Sequence, residues 1–369
     1  MDYHAIRDVA VKYSLSVNWG LAGNHRKGYA KKMGTRKNGK QSITPGKTDG
    51  GTSASPFHTK LCDLLGLKYP VIQGALGGVG GPALVAAVSN AGGLGVLQTW
   101  GLTLDKLRSS IRETRKLTKL PFAVNITPIS PKFTVTRAEL VVNEGVKIVT
   151  TGRGDPRRPI VSFLKSQGRI VIGVVPTVRH AVRLVDEGVD VIVASGSEGG
   201  GHVGRVSTLP LVPQVVDAVK VPVVAAGGIS DHRGFVAALA LGASGIQMGT
   251  RFVATTECYA SSEQKQRILE AIDEDNIVTD LFTGKPVRVL RSLELDKLVH
   301  ALETGSSRKE LRSEIIELRR KGSKGFISIA SGQGAGIISE ILPAKDLIEQ
   351  IISNALTLCL HLDPWSLPV

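Results

Sequence analysis

Eight short apolar runs, separated by amphipathic stretches, constrain this chain more than any other feature of it. They are Tyr69–Ala75, Leu94–Gln98, Phe122–Ile126, Lys147–Thr151, Ile170–Val175, Val189–Ser195, Val221–Ala226 and Gly245–Gly249. Short, mostly apolar runs of this kind suit strands covered on both faces, as a parallel sheet requires. The stretches between them, such as Leu104–Leu117 and Val178–Glu187, carry apolar residues at helical spacing. Gly145, Gly168, Gly188 and Gly242 stand just before the next run, a common place for a helix C-cap. Eight strand–helix units in series predict an α/β fold, a (β/α)8 TIM barrel.

A doubly wound dinucleotide fold is the competitor. Gly78-Val79-Gly80-Gly81-Pro82-Ala83 satisfies G-x-G-x-x-A between a strand and a helix. That fingerprint needs an acidic residue about 20 positions on, at the end of the next strand, to hold a ribose. The chain has Gln98-Thr99-Trp100 there. The glycines read instead as a flexible first loop over the barrel mouth.

Charge and composition divide the rest of the chain. The net charge of +14 is uneven: residues 1–50 hold ten Lys/Arg against three Asp, half of the excess. Residues 1–56 are therefore expected to be a disordered basic extension that cannot bury a core. Few aromatics accompany the basic residues, which argues against nucleic acid as a partner. The barrel is assigned to 57–260. After Cys258 the rhythm breaks, and 261–330 reads as an inserted helical lobe or lid, with helices near Ser292–Leu302 and Lys309–Lys321. Residues 331–369 supply a barrel-closing helix, Ala344–Leu358, and a tail. No apolar run reaches the roughly 18 residues of a membrane span. Cys62, Cys258 and Cys359 form no metal or disulfide spacing, so a cytoplasmic protein is expected.

Val191–Phe252 carries the strongest functional signal. Three apolar runs there end in glycine, at Ser195-Gly196, Ala226-Gly227-Gly228 and Met248-Gly249-Thr250. Glycine lets backbone N–H groups approach a ligand with no Cβ in the way. Loops after the seventh and eighth strands of a barrel are the usual phosphate site. Gly227, Gly228, Gly249 and Thr250 are thus candidate cofactor-binding residues, although tight strand–helix turns alone would also need glycine. His202 follows three glycines and is the candidate catalytic residue, as a base or as a donor to substrate. Asn125 closes an otherwise apolar strand, and Gln98 is a weaker candidate of the same kind. Glu198 and Ser197 read as polar lining, and His180 as peripheral. No histidine or cysteine spacing suggests a metal.

The ordered set Gln73-Gly74-Ala75, Ala91-Gly92-Gly93-Leu94-Gly95, Val124-Asn125, Glu198–Gly204, Ala226–Ile229, Met248–Phe252 and Gly332–Gly336 resembles the nitronate monooxygenase family of FMN-dependent barrels. That family also contains the enoyl-ACP reductase II enzymes. The resemblance runs from about Phe57 to about Ile352. It implies that Gln73, Gly74, Ala75 and Asn125 meet the flavin ring, that Gly200, Gly201 and His202 lie beside it, and that Gly227, Gly228, Gly249 and Thr250 hold its phosphate. Family members that accept neutral nitroalkanes place a histidine within the fifth strand. Aligned through Thr177-Val178-Arg179-His180, that position is Gly173 here. The expected function is FMN-dependent oxidation of alkyl nitronates with molecular oxygen. The alternative is reduction of an enoyl thioester, with NAD(P)H as reductant. In either case the partner is a small-molecule substrate, and a homodimer is left open.

Overall fold

The computed structural model describes residues 56–128, 130–152, 158–321 and 330–362. The expected basic extension, 1–56, lies outside them apart from its last residue. Within them, eight parallel strands form one sheet: β1 (Val71–Gln73), β2 (Gly95–Leu97), β3 (Phe122–Ile126), β4 (Ile148–Thr151), β5 (Ile170–Val175), β6 (Val191–Ser195), β8 (Val223–Ala226) and β9 (Gly245–Met248). The two-residue strand β7 (Gly201–His202) stands apart from this sheet. The order β1-β9-β8-β6-β5-β4-β3-β2 leaves β1 and β2 as the two ends, and a parallel bridge between Ile72 and Leu94 joins them. The sheet is a barrel.

The strand period of two sorts the apolar side chains into two cores. Ile72, Leu94, Val96, Ala123, Ile148, Ile172, Val191, Val193, Val224 and Ala226 fill the barrel interior. Their neighbours Leu97, Val124, Val149, Val171, Ile192, Ala225 and Ile246 face outward against the helices. The base of the interior is plugged by α1 (Lys60–Leu65), whose Leu61, Cys62 and Leu65 join the inner cluster.

Between the strands run α2 (Pro82–Asn90), α3 (Leu104–Leu117), α4 (Pro131–Asn143), α5 (Arg158–Ser166), α6 (Val178–Asp186), α7 (Thr208–Ala218) and α8 (His232–Ala240). Their ends follow local chemistry. Thr103, Thr177 and Asp231 accept N–H bonds from the first turns of α3, α6 and α8. The four expected C-terminal glycines, 145, 168, 188 and 242, all have left-handed φ, between +67° and +100°. After β9 come the short α9 (Thr250–Val253) and α10 (Ser262–Leu269). The chain returns at the end in α13 (Ala344–Leu362), which packs on α8 and α2 and takes the place of an eighth outer helix.

The insert differs from a purely helical lobe. Besides α11 (Leu293–Glu303) and α12 (Arg308–Lys321) it contains an antiparallel pair, β10 (Asn276–Thr279) and β11 (Val287–Leu290). β7 adds to that pair as a third strand, His202 opposite Val287 and Gly201 opposite Arg288. Four-residue strands give too short an alternation to stand out in a polar stretch. The insert has small cores of its own, around Leu281, Leu298, Leu311 and Ile315 and around Val287, Val289 and Leu295. No helix among the described residues is long and apolar enough to cross a membrane.

Candidate active site

The C-terminal ends of the strands carry two different kinds of surface. On the β8/β9 side it is made of backbone. Gly227 and Gly228 follow β8 with φ of +102° and +74°, a conformation that disfavours other residues. Their loop is held from below by the Thr208 hydroxyl, which lies 2.9 Å from the Gly227 carbonyl. Glu198 holds the same helix end, accepting the Thr208 N–H at 2.9 Å with its carboxylate.

Residues 330–334 thread between these loops. The Gly332 N–H donates to Thr250 Oγ1 at 2.9 Å, the Gln333 N–H to the Glu198 carbonyl at 2.9 Å, and Ser230 Oγ to the Gly334 carbonyl at 2.8 Å. A Cβ on Gly200 would stand 2.8 Å from the Gly332 nitrogen, and one on Gly332 2.6 Å from the Glu198 carbonyl oxygen. Glycine is required there because backbone meets backbone. Arg251, buried just below, donates to the carbonyls of Ala254 and Glu340 and ties the returning chain to α9. Burial lowers its pKa. Three loops distant in sequence are thereby clasped by one segment.

Among the described residues, no backbone carbonyl accepts from the N–H groups of Gly228, Gly249 or Thr250, whereas the Gly227 N–H continues the β8–β9 ladder toward Gln247. β8 and β9 are paired neighbours, with Ala226 opposite Gln247, so the three open donors share one end of the sheet. Unsatisfied donors beside the start of α9 suit a phosphate dianion. A cleft of about 330 Å3 lies behind the same loops, between α7 and α8, and touches Gly227, Gly228 and Gly334 from outside the barrel.

On the β2/β3/β4 side the surface is made of side chains. Register sets Asn125 opposite Thr150, and Leu97 opposite Val124, so the next residue, Gln98, is level with Asn125. All three continue the inward alternation of Val96, Ala123 and Ile148. Asn125 is 5% exposed; its Nδ2 donates to Thr150 Oγ1 at 2.8 Å, and its Oδ1 accepts from Thr127 Oγ1 at 3.1 Å. Gln98 is 6% exposed and its Oε1 has no partner. Across the mouth, Gln247 on β9 borders Gly74, where an added Cβ would stand 3.6 Å from the Gln247 side chain. None of Gln98, Asn125, Thr150 and Gln247 ionises near neutral pH.

The sequence-derived candidates fall into this frame unevenly. Gly74 is buried beside β9 and donates its N–H to the Met248 carbonyl at 2.8 Å, while Ala75 is exposed at the rim. Gln73 is fully buried, and its side chain has a structural partner. Its Oε1 accepts the Val96 N–H at 3.0 Å, and its Nε2 faces the carbonyls of Gly74 and Val96. The carboxamide thus extends the β1–β2 pairing by one step at the seam of the barrel. His202 is exposed on β7, its Nε2 2.9 Å from the Thr283 hydroxyl of the insert. Next to it Arg288 reaches under the loop and donates to the Ser197 carbonyl at 3.1 Å, with its pKa lowered by burial.

Gly173 requires a correction. A Cβ there would stand 2.6 Å from Leu184 Cδ1 and 3.3 Å from Val189 Cγ1, in the outer layer beneath α6. A side chain at 173 points away from the mouth. The inward, partly buried position at the end of β5 is Val174, which packs on the inner cluster. An alignment through the following helix misses this because one step along a strand reverses the face. Gln247 and Thr150 were not singled out in advance, and Gly332–Gly336 was singled out only as part of the family resemblance, without its clasping role. Counting alternation back from each glycine would have found Gln247; the partners of the clasp leave no local signal.

The sequence profile described as "Nitronate monooxygenase" matches residues 58–133 and 127–354. The chain belongs to the nitronate monooxygenase family. A Mycobacterium tuberculosis protein named (3aS,4S,5R,7aS)-5-hydroxy-7a-methyl-1-oxo-octahydro-1H-indene-4-carboxyl-CoA dehydrogenase is 35% identical over 345 residues, 82% of this chain and 97% of that one. A Rhodococcus jostii protein of the same name is 41% identical over 236 residues, 64% of this chain and 66% of that one. A "Probable nitronate monooxygenase" of Staphylococcus saprophyticus is 32% identical over 346 residues, 80% and 97% of the two chains. The structure of FabK from Thermotoga maritima superposes with a TM-score of 0.79 at 38% identity, covering 83% of this chain and 99% of that one. The chain is therefore an oxidoreductase of a flavin-dependent family.

Proposed function

We propose that this protein binds FMN non-covalently at the barrel mouth and oxidises alkyl nitronates with molecular oxygen. The carrying observation is the set of unpartnered N–H donors at Gly228, Gly249 and Thr250, with Gly227 setting the turn beside them, which fits the terminal phosphate of a mononucleotide. Bound FMN supplies the electron transfer. The chain supplies placement. The glycine loops hold the phosphate, Gly74 leaves room for a flat ring against β1, and Asn125 presents an amide whose orientation Thr150 and Thr127 fix. Gly200 and Gly201 keep the β7 loop low over the ring, and His202, braced by Thr283, closes the mouth from that side as a hydrogen-bond donor to substrate.

The neutral residues of the mouth favour a substrate that arrives already ionised. A nitronate is such an anion, whereas a neutral nitroalkane needs a base to remove its α-proton. A second reading, reduction of an enoyl thioester with NAD(P)H, is favoured by the similarity to the carboxyl-CoA dehydrogenases. Anaerobic reduction of the purified yellow protein separates the two. Bleaching by a nitronate without nicotinamide supports the first. Bleaching by NAD(P)H and recovery with an enoyl thioester replaces it with the second. A protein that cannot be reconstituted with FMN refutes both.

A further inference from the structure

Gln98 is a buried carboxamide with nothing to bind. Its Oε1 is shut off from solvent and unpartnered, and among the described residues its Nε2 has no hydrogen-bond partner either. Its neighbours in the same row are satisfied: Asn125 pairs with Thr150 and Thr127. The contrast with Gln73 is direct, since that buried carboxamide pairs with the Val96 backbone. A buried amide left unpaired is a standing cost to the fold, and native proteins keep few of them. The row faces the mouth, so the missing partner comes from what fills the mouth.

Resting on the FMN reading above, we propose that Gln98 is a cofactor-recognition residue for the imide edge of the flavin ring. That edge presents an N–H donor between two carbonyl acceptors. A carboxamide offers the complementary acceptor and donors side by side, whichever way its two ends are assigned. Gln98 thereby selects ligands that carry an imide N–H, and it leaves the empty barrel less stable than an apolar side chain would.

The test compares FMN with 3-methyl-FMN, in which the imide N–H is replaced by a methyl group, on wild-type apoprotein and on Gln98→Leu. Binding is read by flavin fluorescence, and the apoprotein's thermal midpoint is read separately. Wild type should prefer FMN by about tenfold or more, the scale of leaving a buried acceptor unpaired. Gln98→Leu should lose most of that preference and should raise the apoprotein midpoint. Leu is close to Gln in size, so discrimination that came from the methyl group's bulk would persist in the variant. Equal affinity of wild type for both flavins, or an undiminished preference in Gln98→Leu, overturns the proposal while leaving FMN binding intact. Failure to bind either flavin removes the proposal together with the reading it rests on.

Discussion

The two sides of the barrel mouth solve the same problem with different materials. On the β8/β9 side the groups at the strand ends are backbone N–H donors, left open by glycine and held by a second segment of backbone, 330–334. On the β2/β3/β4 side they are side chains, Gln98, Asn125 and Thr150, standing in one row set by strand register. A backbone surface is rigid and recognises charge and shape, which suits a phosphate. A side-chain surface can be altered one group at a time, which suits a ring whose edge varies from donor to acceptor. Substitutions on the first side should therefore act as switches, and those on the second as graded adjustments.

The largest effect is expected at Gly228. Its φ of +74° is one that Asn and Asp tolerate better than most residues, and a Cβ there meets only the Glu198 side chain, its Cβ at 3.3 Å and its Cγ at 3.7 Å. Gly228→Asn should fold and keep most of its flavin affinity. Gly228→Asp puts a carboxylate of the same shape against the phosphate, and like charges at contact distance in a shielded site repel strongly. A loss of more than about 100-fold relative to Gly228→Asn is expected in a flavin titration. Equal affinities for the two variants would mean that the phosphate lies elsewhere.

The fifth strand tests whether the face of a residue outweighs its place in an alignment. Gly173→His drives a ring into Leu184 and Val189 and should cost about 1–3 kcal/mol of stability, as overpacking usually does. It should confer no activity on neutral nitroalkanes. Val174→His points into the mouth and adds the missing base, so the neutral substrate should gain rate by up to about 10²-fold, within the range of general-base assistance. Denaturant midpoints and rates on paired nitroalkane and nitronate substrates read both effects. Base-assisted activity from 173 rather than 174 would refute the assigned faces.

The sequence carried the backbone side of this contrast well. Eight apolar runs with glycine ends pointed to the barrel, and Gly228 and Gly249 carry open backbone donors at its mouth. Such residues announce themselves because few others fit a left-handed φ or a close backbone approach. The side-chain side was less legible. Asn125 was visible as a polar residue closing an apolar strand, but Thr150 resembled ordinary strand composition. Gln73 and Gln98 looked alike in the sequence, and only register shows that one is a seam residue and the other an unpaired amide. Gly173 failed for the same reason, because facing depends on the strand's parity and not on spacing from a helix. Gly332 and Gly334 stood out, but what they clasp could not be inferred, since the partners lie between about 80 and 135 residues away in sequence.

The smallest expected effect is at Thr150, and it measures how finely the side-chain row is tuned. Thr150→Val keeps the branched shape that suits a strand and removes only the hydroxyl. Asn125 Nδ2 then loses the acceptor that stands 2.8 Å away, while its Oδ1 keeps Thr127 at 3.1 Å. Stability should fall by about 1 kcal/mol, the net worth of one such hydrogen bond. Flavin affinity should fall only a few-fold, because the amide is still present but free to turn. The flavin absorption band should shift while the amount of bound flavin at saturation stays the same. Asn125→Leu, which deletes the amide and strands the hydroxyls of Thr127 and Thr150, should exceed Thr150→Val in every one of these readings. If Thr150→Val matched Asn125→Leu, the orientation of the amide would be as important as its presence, and the row would behave as a switch like the glycine side. If Thr150→Val changed nothing, Asn125 would be held by Thr127 alone, and the row would begin at Asn125 and not at β4.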